Sequence, residues 1–572
     1  MLNLAKNETW QLAGELVKTI YKRLTKFKHD TGFEYPIDVG LFTLKLASPK
    51  SKPLMVLLAV ALWITPVWSQ LPASASTGLL PALGDGADIT LSAERKLGDR
   101  IARELFRDPD YLEDPVLDEY LQNIWQPLVK GAQVRGELSP DLKERFAWRI
   151  LIGRDRSVNA FALPGGYLGI HLGLIGVVST RDELASVMAH ELSHVTQRHI
   201  SRSMGDQARM TPWLIGAMVL GMLAASKSAQ GAQAMIVGGQ AMAAQSQLNF
   251  SRDMEREADR IGYGVMSEAG FDTQGFVTMF GKLQQAAGLN DNGSFPYLRS
   301  HPLSSERMAD MQSRQQLETP RPVNLESDLI QAIMSARARV LAQPGVDALR
   351  AWANEATDAN VDKLGASKRM GILYGAAFSW VQLRDMNKGR ALIPRMREAA
   401  GDQPAAQRLI RLFESELAFK EDDMRGAVRA LSATTQQASS QWLRPELVTL
   451  AQASARLQTS SPSLENAQLL ASSVSALQVL VLKSPDDAQA WQVLASALVA
   501  QGRPLASLRA EGEVQIARMD FAAAVDRFRA AQDASKKGPA QMGDHIEASI
   551  VDARLRFAQG ILREQLLERQ ER

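Results

Sequence analysis

The feature that most constrains the fold is a change of pattern at Thr319-Pro320-Arg321-Pro322. Proline donates no backbone hydrogen bond and disfavours helix at the residue before it, so this stretch reads as a break between domains. Before it, from Ser92 to about Pro320, helical periodicity is mixed with one short β signal. After it, from Asp328, the chain is helical almost to the end. We therefore expect a first domain over residues 76–318, a linker over 319–327 and a helical domain over 328–572. With 572 residues, 45% of them hydrophobic, the chain can bury two or three cores.

The helical half carries traces of repetition. Trp491, Leu494, Ala495 and Leu498 followed by Gly502 match the first half of a tetratricopeptide repeat. Asp520-Phe521 with Ala524, Phe528 and Ala531 match a second-helix pattern, which Asp422, Ala427 and Leu431 echo. At roughly 34 residues each, about seven units fit between Asp328 and Glu568. The alternative is an ordinary helical bundle.

At the other end, Leu54 to Trp68 is charge-free and mostly apolar, preceded by Lys45, Lys50 and Lys52 and followed by Ala73-Ser74-Ala75. That layout predicts a secretory signal peptide over 54–75, with the mature chain starting near Ser76. The stretch is interrupted by Pro66 and falls short of the roughly 20 residues that span a bilayer, so export is favoured over anchoring. Residues 1–53, with an amphipathic pattern from Trp10 to Phe27, are then either an extension or the product of a start assigned too early.

Composition excludes several chemistries. Without cysteine there are no disulfides, thiolate metal sites or cysteine nucleophiles, and a transition metal must be held by histidine and carboxylate. Residues 1–53 carry nine Lys/Arg against five Asp/Glu, which leaves 56 basic and 58 acidic residues beyond. That balance gives no electrostatic reason to bind nucleic acid. No Gly-x-Ser-x-Gly, Walker A or Gly-x-Gly-x-x-Gly motif is present.

The β signal runs from Ser157 to Ile170, around Pro164-Gly165-Gly166, and reads as a hairpin or a strand and turn. Thr180 and Glu183 then have capping-box spacing. Leu184, Val187, Met188, Leu192 and Val195 form an apolar stripe for one helix. Inside it lies His190-Glu191-Leu192-Ser193-His194, the His-Glu-x-x-His pattern. Positions four apart share a helix face, so both imidazoles can reach one ion, with Glu191 beside them to accept a proton from the hydrolytic water. A third ligand is needed. His199, nine residues after His190, falls on the opposite face of an ideal helix and is a poor candidate. Glu255 and Asp259 lie four apart on another helix. We expect Glu255 to bind the metal and Asp259 to orient a ligand histidine, the alternative being a solvated charged face.

Four pieces of sequence carry a resemblance to a known family: Asn159-Ala160-Phe161-Ala162-Leu163-Pro164-Gly165-Gly166, the zinc helix, Glu255 to Asp259, and His301-Pro302-Leu303. Over residues 90 to 315 the chain resembles the periplasmic BepA/LoiP-type zinc metallopeptidases, related to HtpX and the CAAX prenyl proteases. The repeat tail places it nearest the BepA branch. The resemblance implies a mainly α (α+β) fold, with a zincin-like metallopeptidase domain holding a small β element, followed by an α-solenoid of tetratricopeptide-like repeats. It also implies one Zn2+ per chain and a regulatory or transition-state role for His301, which residue chemistry alone would equally place as a surface histidine before a proline turn. The expected function is a periplasmic endopeptidase for outer-membrane protein quality control. Its partners would be unfolded or misfolded outer-membrane proteins and the β-barrel assembly machinery. The alternative is an assembly chaperone or scaffold whose zinc is mainly structural.

Between the zinc helix and Glu255, the apolar stretch Pro212 to Ala225 and the Gly/Ala/Gln/Met-rich stretch Gly231 to Gln245 are each too short to span a bilayer. They read either as a buried helical hairpin or as a lid touching membrane or a hydrophobic client. The family resemblance favours the lid, and with it peripheral membrane contact.

Overall fold

The computed structural model describes residues 89–205, 251–288, 295–318, 324–537 and 544–570. The expected extension, signal peptide and apolar insert over 212–245 lie outside the described residues, as do residues 319–323 of the expected linker.

The described chain is mainly helical, with one three-stranded sheet. The first part contains α1 (Leu91–Arg107), α2 (Pro115–Val134), α3 (Pro140–Arg145), β1 (Arg149–Gly153), β2 (Ala160–Leu163), β3 (Tyr167–His171), α4 (Leu172–Val177), α5 (Arg181–Thr196) and α6 (His199–Gly205). It continues with α7 (Arg252–Glu268), α8 (Gln274–Gly288), α9 (Tyr297–Ser300) and α10 (Ser305–Gln315). Helix starts follow local chemistry. Asp114, Thr180, Ser251 and Ser304 accept the backbone N–H three residues on, filling donors that the first turn leaves open. Around α5 the capping box closes one residue early, because the Glu183 carboxylate takes the Ser179 N–H at 2.6 Å.

β2 and β3 form the expected hairpin, antiparallel through a turn in which Gly165 and Gly166 take φ of +75° and +85°, angles that disfavour a side chain. β1 pairs parallel with β3 on the other side. The sequence pattern does not announce this strand, because its Ile150-Leu151-Ile152 core is a short apolar run without alternation. β3 is central and wholly buried, which leaves β2 as an edge. That edge runs beside α5, which also packs on α2, α7 and α8. Surrounded in this way, α5 is buried at every position from Glu183 to Thr196, not along one stripe only.

The second part is an array of packed helices: α11 (Leu325–Leu341), α12 (Val346–Glu355), α13 (Ala366–Gln382), α14 (Met386–Ala391), α15 (Ile393–Ala400), α16 (Pro404–Lys420), α17 (Met424–Ala430), α18 (Ser432–Thr435), α19 (Arg444–Ser460), α20 (Leu464–Lys483), α21 (Ala488–Ala500), α22 (Pro504–Ala517), α23 (Phe521–Lys537) and α24 (Asp544–Gln570). Trp491, Leu494, Ala495 and Leu498 lie buried on α21, and Ala524, Phe528 and Ala531 on α23. The helix between, α22, serves both motifs: it packs on α21, and its Gly512 comes so close to the Phe528 ring that a Cβ would sit 2.4 Å away.

The two parts share one continuous hydrophobic core running from Leu112 to Ala517, while the last hairpin closes over a smaller one around Phe528 and Val551. α11 rests on α4. The array returns to the first helix, where Lys96 pairs with Glu564 and Glu568 of α24 at 2.7 and 3.1 Å.

Candidate metal centre

Three elements bring the polar groups together. α5 contributes His190, Glu191 and His194, α7 contributes Glu255 and Asp259, and the loop after α9 contributes His301. Gly262 permits the close approach of α7 to α5: a Cβ there would lie 3.0 Å from the Ala189 carbonyl oxygen and 3.1 Å from the His190 nitrogen. One ligand atom from each of His190, His194, Glu255 and His301 falls within 4.8 Å of every other, and all four side chains are buried. His301 is 2% exposed, so the surface alternative does not describe it.

The donor spacings can be tested against an ion. Four ligands at zinc–nitrogen and zinc–oxygen lengths form a tetrahedron with edges of about 3.3 Å. His190 Nε2 lies 3.0 Å from His194 Nε2, 3.4 Å from Glu255 Oε2 and 3.3 Å from His301 Nδ1. Glu255 Oε1 lies 3.4 Å from His194 Nε2 and 3.0 Å from His301 Nδ1. These five spacings, taken with one or the other oxygen of Glu255, are of the size a four-coordinate cation needs, and imidazole and carboxylate donors are compatible with zinc.

A second layer holds these side chains. His190 Nδ1 meets Asp259 Oδ1 at 2.9 Å. Asp259 in turn takes two hydrogen bonds from Arg307, from Nε at 2.6 Å and Nη2 at 2.8 Å. Arg307 also places Nη1 2.8 Å from Glu255 Oε2 and donates to the Pro302 carbonyl, which ties the His301 loop to both carboxylates. Burial opposes charge on Asp259 and Glu255. Arg307 and His190 nevertheless hold Asp259 below the usual carboxylate range, and His301 and His190 do the same for Glu255. Burial would also lower the pKa of His190, yet Asp259 and Glu255 hold it raised to about 10. Burial depresses His194 well below the ordinary imidazole value.

Glu191 is fully buried beside this cluster. Its Oε2 accepts the Ala162 N–H of the edge strand at 2.9 Å. Among the described residues its Oε1 has no hydrogen-bond partner, with His301 Nε2 3.3 Å away.

His199 is not where an unbroken helix would put it. α5 ends at Thr196, Arg198 takes φ +53°, and α6 restarts at His199. The break swings the ring back to the His194 side, where the two Nδ1 atoms lie 2.8 Å apart. Arg307 also escapes sequence reasoning, because an arginine on a charge-rich helix is normally solvated. Its spacing from Met311, four residues on and on the same buried face, is the available signal.

Residues 115–315 match the family model Peptidase family M48. A Vibrio cholerae protein is 35% identical over 327 residues, 55% of this chain and 63% of its own length. The Beta-barrel assembly-enhancing protease of Yersinia pestis is 29% identical over 443 residues, 76% of this chain and 83% of that one. The protein of the same name from Escherichia coli is 35% identical over 292 residues, 51% of this chain and 57% of that one. The match thus spans less than two thirds of the Vibrio and Escherichia relatives.

Proposed function

The chain carries a domain of peptidase family M48 with its His/His/Glu/His cluster intact, and from that premise we propose that it is a zinc-dependent endopeptidase of the periplasm acting on stalled or misfolded outer-membrane β-barrel proteins. The observation that carries the catalytic reading is Glu191. It is a fully buried carboxylate beside the metal-ligand candidates, one of its oxygens lacks a hydrogen-bond partner among the described residues, and such a group is suited to meet a reacting molecule.

When bound, zinc supplies Lewis acidity to a water and to the scissile carbonyl. Glu191 Oε1 takes the proton of the attacking water and returns it to the leaving amine. Asp259 keeps the His190 ring oriented, and Arg307 keeps Asp259 in place. An extended peptide adding to the β2 edge takes the Ala162 N–H and releases Glu191 Oε2 from it, so binding through the peptide backbone frees the base. Backbone pairing demands little of side chains, which suits unfolded clients.

The likeness to the Yersinia protein, covering 76% of this chain, extends into the helical array and supports a client-recruiting tetratricopeptide-like domain acting with the β-barrel assembly machinery. The signal-like stretch over 54–75 supports export. No described helix is long and apolar enough to cross a membrane.

A second reading has one observation in its favour. Four protein donors converge on one point, and a site closed by four protein ligands would be the mark of structural zinc. A chaperone with structural zinc would have that geometry; an enzyme requires His301 to withdraw. Cleavage of unfolded casein with and without chelator separates the two. Glu191→Gln should keep stoichiometric zinc and lose about 10²- to 10⁴-fold in cleavage rate. Wild-type cleavage by that variant overturns the assignment of the base.

A further inference from the structure

The two histidines of the zinc helix are held differently. His190 leans on a carboxylate, Asp259. Behind His194 there is another imidazole, that of His199, whose Nδ1 lies 2.8 Å from His194 Nδ1. His199 Nε2 lies 3.1 Å from Glu257 Oε2, and Arg202 Nη1 reaches the same oxygen at 3.0 Å. We infer that His199 is a positioning residue of the metal centre: it accepts the Nδ1 proton of His194, hands its own Nε2 proton to Glu257, and so fixes the tautomer and ring plane in which His194 presents Nε2 to the ion. This rests on the metal reading of the site but not on the protein's being a protease.

The proton count permits one arrangement. A metal at His194 Nε2 requires the neutral ring to carry its proton on Nδ1. At 2.8 Å the facing Nδ1 of His199 must then be the acceptor, since two N–H groups cannot point at one another over that distance. The His199 proton therefore sits on Nε2, and the atom facing it is a carboxylate oxygen, an acceptor only. Arg202 keeps Glu257 charged and in place. The chain Arg202, Glu257, His199, His194 has a defined direction, with every donor meeting an acceptor.

The backbone is bent to make this chain. On an unbroken helix His199 would lie about 140° around the axis from His194. The turn that brings it back needs a left-handed backbone at Arg198, unfavourable for a residue with a side chain. Arg198 is pinned in it through its guanidinium, with Nε 3.0 Å from the buried Glu94 carboxylate and Nη2 2.9 Å from Ser201 Oγ, and Nη2 also bonded to the Ile89 carbonyl. α1 and the segment before it thereby hold the turn that aims His199.

The test compares three full-length proteins: wild type, His199→Leu and His199→Asn. Leucine and asparagine are nearly the same size, and asparagine keeps an acceptor oxygen near the position of Nδ1. Zinc affinity is measured by competition with a chromophoric chelator, and the ligand field by the visible absorption of the Co2+-loaded proteins. We expect His199→Leu to bind zinc about 10- to 100-fold more weakly, with an altered Co2+ spectrum. His199→Asn should fall within about fivefold of wild type, with the wild-type spectrum. A site needing only packing favours leucine, so the order of the two variants separates packing from hydrogen bonding. Wild-type affinity in His199→Leu, or equal loss in both variants, overturns the inference. If His199→Leu does not fold, His199→Met replaces it as the variant without an acceptor. A wild-type protein that binds no zinc sinks the metal reading instead, so the two failures are told apart.

Discussion

Buried charge is concentrated in two regions of this molecule, and they are solved in opposite ways. Along the seam between the first part and the helical array, guanidinium groups meet carboxylates in closed sets. Arg337 of α11, 5% exposed, pairs with Asp114 and Glu416 at 2.7 Å each. Arg408 joins Glu119 to Glu446, Arg444 joins Asp118 to Asp487, and Arg518 pairs with Glu113. At the metal centre His190 and Glu255 lie 3.0 to 3.4 Å from each other and from the two remaining imidazoles, and Arg307 enters from the side. Opposite charges are paired within the seam, whereas the metal centre gathers electron pairs that a cation would satisfy. A closed ion network positions domains; a set of converging lone pairs asks for a ligand.

Substitutions should separate the two regions. Arg337→Met leaves Asp114 and Glu416 facing each other near the core, and removal of one partner from a buried ion set costs about 3–5 kcal/mol. Denaturant unfolding should show a loss of that size with zinc affinity unchanged. Asp114→Asn added to that variant should restore part of it, because asparagine still caps α2 while removing one stranded charge. An Arg337→Met protein as stable as wild type would mean the seam is held by apolar packing alone. The converse experiment is Asp259→Asn, which weakens the hold on His190 and should lower zinc affinity about 10- to 100-fold in chelator competition. Its effect on the affinity should exceed its effect on the melting temperature of the metal-free protein. If the reverse is found, Asp259 belongs with the structural ion pairs and not with the metal centre.

The metal centre is more legible in the sequence than the seam, for a physical reason. His190, Glu191 and His194 are tied by helix spacing, and Glu255 and Asp259 by the same spacing on a second helix, so local periodicity groups the five side chains on two helices, and the His-Glu-x-x-His motif upstream is what singles out the second pair. The hairpin is readable from Pro164-Gly165-Gly166 and its apolar flanks. Periodicity misplaces His199 because the left-handed residue that redirects it is an arginine, a residue type that gives no sign of a turn. The seam involves pairs such as Arg408 with Glu119 and Arg518 with Glu113, hundreds of positions apart, each drawn from helices whose charges read as solvated. Such pairs exist only once the chain has folded.

The smallest effect concerns pH. In the metal-free protein the His190 pKa is raised from 6.5 to about 10, so its charged form stabilises the fold. That contribution is complete below about pH 6.5 and is lost as the pH rises through about 10. Zinc held at His190 would displace the same proton and would bind more readily as protons become scarce. The melting temperature of zinc-loaded protein should therefore exceed that of metal-free protein by a margin that widens between pH 7 and 9.5, by about 1 °C for each kcal/mol involved in a cooperative unit of this size. The seam should add nothing to this trend, because the Arg337, Arg408 and Arg444 guanidiniums are pushed further up from an already high value. Burial opposes that shift and their carboxylate partners outweigh it. Melting curves of Arg408→Met with and without zinc check this. The variant should shift both curves down equally at each pH, and a pH-dependent gap between variant and wild type would show that the two regions titrate together.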